Sequence, residues 1–172
     1  MTTSNRPKTA NNKSRKRITA GEVFSNPFCF LGFGFGSGLV PFAPGTFGTL
    51  VAIPIYYAMA GLSLPVYGSL VTLLFLLGIL ICQRCEDSLS ISDHSGIVWD
   101  EIVGYLITMA AVPYSWQAAS LGFLLFRLFD IIKPWPISQL DRTLHGGLGV
   151  MLDDALAGVF AASALHWVMA YL

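Results

Sequence analysis

Residues 102–126 read IVGYLITMAAVPYSWQAASLGFLLF, an uncharged run of 25 residues that begins directly after Glu101 and ends directly before Arg127. The run is long enough to cross a bilayer once as a helix. However, Pro-Tyr-Ser-Trp at 113–116 interrupts it, because proline lacks a backbone donor and disfavours helix in the residue before it. A hairpin of two short helices would bring Glu101 and Arg127 to the same end, whereas a single span would separate them. A shared catalytic site requires the hairpin, so the hairpin is the prediction.

Further apolar runs occur on both sides of this one. Helices are expected at about 50–60, 66–82 and 155–172, whereas glycine and proline are too frequent in 32–49 for a stable helix. Hydrophobic residues make up 54% of the 172-residue chain and charged residues 12%, which is unusual for a soluble domain. The prediction is an all-α protein: a compact, membrane-associated multi-helical bundle with short helical hairpins and a C-terminal apolar helix. An unusually apolar soluble helical domain is the alternative.

The charged residues are distributed unevenly along the chain. Residues 1–22 contain six bases and one acid and lack apolar periodicity, so they are expected to form a disordered basic tail. Residues 23–172 contain four bases and nine acids and are expected to form one helical domain. Bases just before an apolar region favour the cytoplasmic side of a membrane and anionic lipid. Alternatively, the tail stays solvated and only sets the topology.

After residue 22, all thirteen charged residues fall in three short polar islands. These islands are 84–101, 127–142 and the pair Asp153–Asp154, and they are separated by long uncharged runs. Carboxylates are costly near lipid or in a core unless they are solvated, paired or bound to metal. Carboxylates gathered with a few bases at the ends of apolar helices therefore predict a divalent-metal site that handles phosphate at a membrane surface.

The segment 127–136 reads RLFDIIKPWP. On a helix, Arg127, Asp130 and Lys133 would share one face, and the prolines that follow would end the helix there. Arginine offers a planar fork and lysine a point charge for phosphate oxygens, and Asp130 lies between them. All three are candidate catalytic residues. The alternative is a ladder of ion pairs within one helix.

Two pairs of adjacent acids complete the predicted site. Asp153 and Asp154 follow the glycine-rich residues 146–149, and their helix is expected to start near Val150. The other pair, Asp100 and Glu101, directly precedes the uncharged run 102–126. Acids in the first turn of a helix also cap it and are favoured by its dipole, which is the structural alternative for both pairs. The candidate metal ligands are Glu101, Asp153 and Asp154, and Asp100 is a candidate catalytic carboxylate.

The glycine-rich segment 32–49 is interpreted as a phosphate-binding loop, in which backbone N–H groups cradle the anion. Its candidate residues are Gly45, Thr46, Gly48 and Thr49. It lacks the lysine of a nucleotide-binding P-loop, so nucleotide binding has little support. Turns, or close helix packing through small residues, are the alternatives.

Cysteine and histidine contribute little to the predicted chemistry. Cys29, Cys82 and Cys85 form an odd set that does not suggest a disulfide framework, so buried or interfacial thiols are expected. His94 and His145 are interpreted as polar loop residues rather than catalytic ones.

Four blocks of the sequence, taken together, resemble the phosphatidylglycerophosphatase A family. The blocks are 36–39 with 43–49, then 97–104, 126–137 and 146–158, and the likeness covers about residues 26–172. The resemblance implies a mostly helical, magnesium-dependent lipid phosphatase of the bacterial inner membrane, with its active site facing the cytoplasm. Such an enzyme would hydrolyse the terminal phosphate monoester of phosphatidylglycerophosphate. The implied partners are this lipid and the membrane; no nucleic-acid partner is expected, and no oligomeric state is predicted.

A mechanism follows as a hypothesis. Mg²⁺ held by some of the five carboxylates would polarise the phosphate, while Arg127 and Lys133 stabilise charge on its oxygens. Direct attack by water and a covalent aspartyl-phosphate both stay open. The rival functions are a phosphatidyl-group transferase, whose Asp-Gly-x-x-Ala-Arg motif is absent, and a non-enzymatic membrane transporter or assembly protein. A transporter would place charges midway along its spans, whereas here the charges lie at the ends of the runs.

Overall fold

The computed structural model describes residues 18–90, 92 and 94–171, and within these ranges every regular element is helical. The all-α prediction is therefore confirmed. The elements, in chain order, are α1 Ala20–Ser25, α2 Pro27–Gly32, a 3₁₀ segment Gly34–Leu39, α3 Pro44–Met59, α4 Leu64–Leu89, α5 Trp99–Thr108, α6 Trp116–Ile132, α7 Ile137–Thr143 and α8 Gly146–Met169.

Helix α8 is the centre of the bundle and packs against α4, α5, α6 and α7, while α3 covers the other side of α5. Two glycines allow α5 and α8 to approach closely. A Cβ atom at Gly158 would lie 2.5 Å from the carbonyl oxygen of Gly104, and a Cβ at Gly104 would lie 2.8 Å from the carbonyl oxygen of Asp154. Because only glycine fits at such a contact, these two positions bring the backbone of α8 against α5.

The uncharged run folds as the predicted hairpin. Helices α5 and α6 are joined by residues 109–115, and the Ser115 hydroxyl caps α6 by accepting a hydrogen bond from the backbone N–H of Ala118 at 3.1 Å. The buried hydroxyl of Tyr105 donates to the carbonyl of Ala119 at 3.0 Å and ties the two helices together. Glu101 and Arg127 therefore lie at the same end of the bundle.

Two predicted helix starts are wrong, and both helices begin earlier than expected. Helix α3 starts at Pro44, inside the segment that was expected to be irregular, because proline fits the first turn of a helix, where its missing N–H is not needed. Helix α8 starts at Gly146 rather than near Val150. The side chain of Gln83 on α4 accepts the otherwise unpaired N–H of Gly147 at 3.0 Å, which supports the earlier start.

The predicted tail, residues 1–22, lies mostly outside the described residues. Of its last five residues, those from Ala20 onward belong to α1. This helix starts with a capping box, in which the Thr19 hydroxyl accepts the N–H of Glu22, and the Glu22 carboxylate accepts the N–H of Thr19.

The prediction of free thiols is wrong for two of the three cysteines. Cys29 on α2 and Cys85 on α4 form a disulfide across 56 residues of sequence, whereas Cys82 is a buried free thiol. The pair was missed because only the packing of α2 against α4 brings these positions together.

Among the described helices, α4 and α8 are long and apolar enough to cross a membrane. Helix α4 exposes a row of leucines, including Leu73, Leu76 and Leu80. Helix α5 has 10 residues and extends only about 15 Å at 1.5 Å per residue, so it is too short to cross. The expectation of a membrane-associated bundle therefore rests on the two helices α4 and α8.

Candidate active site

The predicted site residues meet at one end of the bundle, where α5, α6 and α8 converge. Asp100 and Glu101 lie in the first turn of α5, Asp130 near the end of α6, and the remaining pair in the second and third turns of α8. These side chains line a cavity of about 180 Å³. Its lining consists of His94, Ser95, Ile97, Asp100, Glu101, Asp130, Lys133, Val150, Asp153 and Asp154.

Three carboxylates form the core of this acidic cavity. Asp100, Glu101 and Asp154 each offer an oxygen atom, and these oxygens all lie within 4.8 Å of one another. Each of the three also has a buried oxygen without a hydrogen-bond partner. Oxygen ligands on opposite sides of one cation lie about 4.2 Å apart for Mg²⁺ and about 4.6–5.2 Å apart for Ca²⁺, because the metal–oxygen distances are about 2.1 Å and 2.3–2.6 Å, and neighbouring ligands lie closer together. The donor set therefore fits a hard divalent cation.

The electrostatics of α5 also favour a bound positive charge. Burial raises the pKa of the Asp100 carboxyl well above its usual range, and the neighbouring Glu101 carboxylate raises it further. Burial also raises the pKa of Glu101 to about 8, although a hydrogen bond from Asp100 and the charge of Arg127 act in the opposite direction. A proton or a cation between these groups relieves their repulsion.

Arg127 contacts two of the carboxylates that line the acidic cavity. Its Nη1 donates to Asp130 Oδ2 at 2.5 Å and lies 3.9 Å from Glu101 Oε1, while its Nε is buried without a partner. Arg127 and Asp130 therefore form an ion pair within α6, which is one step of the ladder given above as the alternative. The unpaired Nε leaves one donor for an anionic ligand.

Lys133 does not extend this ladder, because it follows the last residue of α6 in the left-handed conformation with φ of 44°. Pro134 follows directly, so the chain leaves the helix at this point. The Nζ atom of Lys133 reaches Asp153 Oδ2 at 2.5 Å and Asp141 Oδ1 at 2.6 Å. Sequence reasoning missed Asp141 as a partner, and its only signal was its place in the island 127–142.

Asp153 and Asp154, adjacent in sequence, have different partners. Asp154 joins the three-carboxylate core, whereas Asp153 binds Lys133 through Oδ2 and keeps a buried, unpaired Oδ1. Adjacent positions on a helix diverge by about 100°, which explains the division.

Of the predicted phosphate-binding residues, Gly45 comes closest to the acidic cavity. A Cβ atom there would overlap with Glu101 Oε1 and lie 2.9 Å from Arg127 Nη1. Thr46 lies half-buried in the first turn of α3, and its N–H donates to the Ala43 carbonyl at 2.9 Å. Gly48 packs against Val98, and the buried Thr49 hydroxyl donates to the Gly45 carbonyl at 2.8 Å. Gly45 thus lies against Glu101 and Arg127, while Gly48 and Thr49 make packing and helix contacts.

The loop before α5 adds two lining residues that sequence reasoning did not assign to the site. His94 and Ser95 line the acidic cavity, and His94 Nδ1 accepts the N–H of Gly96 at 3.0 Å. Their position directly upstream of the quoted block 97–104 was the only signal available.

The fold and the cavity define a helical protein with an acidic, cation-compatible site beside an arginine and a lysine. Residues 30–169 match the family model described as phosphatidylglycerophosphatase A. The chain therefore belongs to the phosphatidylglycerophosphatase A family, and it is a phosphatase, a phosphoric monoester hydrolase.

Three relatives illustrate the likeness. Phosphatidylglycerophosphatase A of Escherichia coli is 45% identical over 145 residues, which cover 84% of each chain. The protein of the same name from Haemophilus influenzae is 44% identical over 150 residues, covering 84% of this chain and 92% of the relative. A putative phosphatidylinositol-3-phosphatase of Bacteroides thetaiotaomicron is 40% identical over 152 residues, covering 81% and 93%. No solved structure matches the chain.

Proposed function

We propose that the enzyme hydrolyses the terminal phosphate monoester of phosphatidylglycerophosphate with the help of Mg²⁺, releasing phosphatidylglycerol and phosphate. The observation that carries the proposal is the convergence of Asp100, Glu101 and Asp154 beside Arg127. The names of the two most similar relatives reported above support the substrate.

Asp100, Glu101 and Asp154 would hold the cation, because their oxygens converge and each has a buried oxygen without a partner. This set differs from the ligands predicted from the sequence in that Asp100 replaces Asp153. Bound there, Mg²⁺ would supply positive charge that polarises the phosphate.

The other charged residues of the site have separate proposed roles. The unpaired Nε of Arg127 binds a phosphate oxygen, and Asp130 fixes the guanidinium through Nη1. Lys133 holds Oδ2 of Asp153, which leaves Oδ1 to take the proton of the attacking water. The bond between phosphorus and the glycerol oxygen then breaks. The glycerol oxygen takes the proton from Asp153, which releases phosphatidylglycerol as the alcohol, and phosphate is then released from the cavity. The predicted catalytic role of Asp130 and Lys133 thus becomes one of positioning.

The test is phosphate release from phosphatidylglycerophosphate by the purified protein, with and without Mg²⁺. Asp154→Asn should abolish measurable release, and Asp153→Asn should lower kcat by about a hundredfold or more, the usual contribution of a general base. Asp87→Asn is the matched control, because Asp87 is exposed, accepts a hydrogen bond from Gln83 on the same helix at 2.9 Å and does not line the acidic cavity. Equal rates for all of these variants would contradict the proposed site.

The same assay separates the alternatives. A protein phosphorylated on aspartate, trapped by acid quenching during turnover, would favour the covalent route over direct attack by water. Phosphatidylinositol 3-phosphate belongs in the assay as a second substrate, because a 40% identical relative carries that putative activity in its name. Absence of phosphate release from either lipid would favour a non-enzymatic function.

The proposed location is the bacterial inner membrane, with the acidic cavity at the cytoplasmic end of the bundle. Helices α4 and α8 supply the two candidate spans, and the six bases of residues 1–22 favour the cytoplasmic side. Membranes washed with alkaline carbonate should retain the protein, and its release into the wash would contradict insertion.

A further inference from the structure

A second cavity lies beside the acidic one and has a different character. It has a volume of about 360 Å³, within the range of about 300–1,000 Å³ common for small-molecule sites. Apolar and polar atoms contribute about equally to its wall, and most of the apolar side chains come from the end of the 3₁₀ segment and the loop that leads into α3. The apolar lining side chains are Ile18, Phe33, Leu39, Val40, Pro41 and Pro44.

This apolar groove adjoins the acidic cavity. His94 and Ser95 line both, so the two spaces share a polar boundary formed by a single loop. Beyond it, the groove continues along residues 39–44. Phe42, 67% exposed, follows the lining residue Pro41, and its ring packs edge to face against that of Phe47 with 5.6 Å between the ring centroids.

The floor of the groove is held by contacts between backbones. A Cβ atom at Gly38 would overlap with the carbonyl oxygen of Gly96, so the 3₁₀ segment lies directly against the loop 94–96. The N–H of Val98, two residues after this loop, donates to the carbonyl of Gly32 at the end of α2 at 2.8 Å and supports the same arrangement. The groove is therefore preformed.

We propose that this groove binds the diacylglycerol part of the lipid substrate while the phosphate monoester occupies the acidic cavity. The inference rests on the proposed function and adds how the enzyme selects a lipid over a water-soluble phosphate ester. A phosphatidyl lipid with a terminal phosphate has three parts in order: an anionic monoester, a polar linker and an apolar diacylglycerol. The surface offers the matching order of cation-compatible cavity, His94–Ser95 boundary and apolar wall.

Chain-length dependence of the kinetics tests the groove. Val40→Asp places a charge in the apolar wall and should lower kcat/KM for dioctanoyl phosphatidylglycerophosphate by about tenfold. For the dibutanoyl form, kcat/KM should change by less than about twofold, because little apolar chain is left to bind. Val40→Ile keeps the wall apolar and should retain the wild-type preference for longer chains. Equal losses for both lipids in Val40→Asp, or no loss, would overturn the proposal.

Ile131→Asp is the matched control for an alternative lipid path. Ile131 is a 69% exposed apolar residue on α6 at the same end of the bundle, but it does not line the groove. Its variant should keep the wild-type chain-length preference. Loss of that preference in Ile131→Asp rather than Val40→Asp would place the acyl chains along α6 and overturn the proposal.

Photolabelling gives a readout that does not depend on turnover. A lipid with a diazirine near the start of one acyl chain should label peptides containing residues 39–44 in the full-length wild-type protein. Labelling confined to α6, or none after irradiation, would overturn the groove. Labelling at 39–44 without phosphate release would instead retain the groove and reject the proposed hydrolysis, so the two failures are distinguishable.

Discussion

Glu101 and Arg127, the residues that bracket the uncharged run 102–126, meet with 3.9 Å between Oε1 and Nη1. The contact exists because the run folds back near Pro113 instead of continuing as one helix. The closed hairpin brings the first turn of α5 beside the last turns of α6, and both then face the acids of α8. A site built from three distant segments depends on this one reversal of the chain.

Gly45 should be essential for activity because of its contact with this pair. In Gly45→Ala the new methyl group would overlap with Glu101 Oε1 and crowd Arg127 Nη1. Displacing reacting groups by about 1 Å can cost about a hundredfold in rate, so kcat/KM for phosphate release should fall by about that factor.

Gly61→Ala is the control, because a Cβ atom there meets nothing within 4 Å. Its kcat/KM should stay at the wild-type value. Circular dichroism should show the same helix content in both variants. Wild-type activity in Gly45→Ala would show that the contact of α3 with Glu101 and Arg127 does not affect the reaction.

Cation binding should be visible as thermal stabilisation that depends on the three-carboxylate core. A cation at about 100 times its dissociation constant stabilises the folded state by about 2.7 kcal/mol. Adding Mg²⁺ should therefore raise the Tm of the wild-type protein but not that of Glu101→Gln, which removes one ligand. Asp87→Asn should respond like the wild type. An equal rise in Tm for Glu101→Gln would place the cation elsewhere.

The pair of Lys133 and Asp141 should make stability sensitive to acid. A hydrogen bond from Lys133 lowers the pKa of Asp141 below its usual value of about 3.8. Since the folded-state pKa is depressed, the stabilisation is present above about pH 4 and is lost as the pH falls through the lowered pKa. Asp141→Asn should have a lower Tm than the wild type at pH 7, and the difference should shrink as the pH falls toward the lowered pKa of Asp141.

This effect should be small, because the Asp141 side chain is 43% exposed and solvent screens the pair. Thermal unfolding across pH 3–8 measures it, with Arg142→Gln as a control for a charge change on the same helix. If the difference in Tm between the wild type and Asp141→Asn grows as the pH falls, the proposed pairing of Lys133 with Asp141 is contradicted.

Sequence alone predicted the helical class, the hairpin and the residues that meet, because uncharged runs with charges only at their ends leave few alternatives. It did not predict the partners and the role of each carboxylate. Asp153 binds Lys133 while Asp154 joins the core, and this depends on the rotation of α8 against α5. The contact between Lys133 and Asp153 depends on the left-handed backbone conformation of Lys133 at the end of α6. Such features arise from packing between segments far apart in sequence, as does the disulfide between Cys29 and Cys85.

Because α5 and α8 approach closely at Gly158, a larger residue at this position should destabilise the bundle. In Gly158→Ala the new Cβ would lie 2.5 Å from the Gly104 carbonyl oxygen and 3.1 Å from Ile107 Cβ, so the helices must move apart. Overpacking of this kind costs about 1–3 kcal/mol, and the free energy of unfolding should fall by that amount. Gly68→Ala on α4, where a Cβ meets nothing within 4 Å, should be neutral or stabilising by about 0.5–1 kcal/mol, because alanine favours helix over glycine. Because Asp154 lies one turn before Gly158, a shift of α8 should also weaken the Mg²⁺-dependent rise in Tm. Full retention of both stability and cation response in Gly158→Ala would show that the contact does not hold the acidic cavity together.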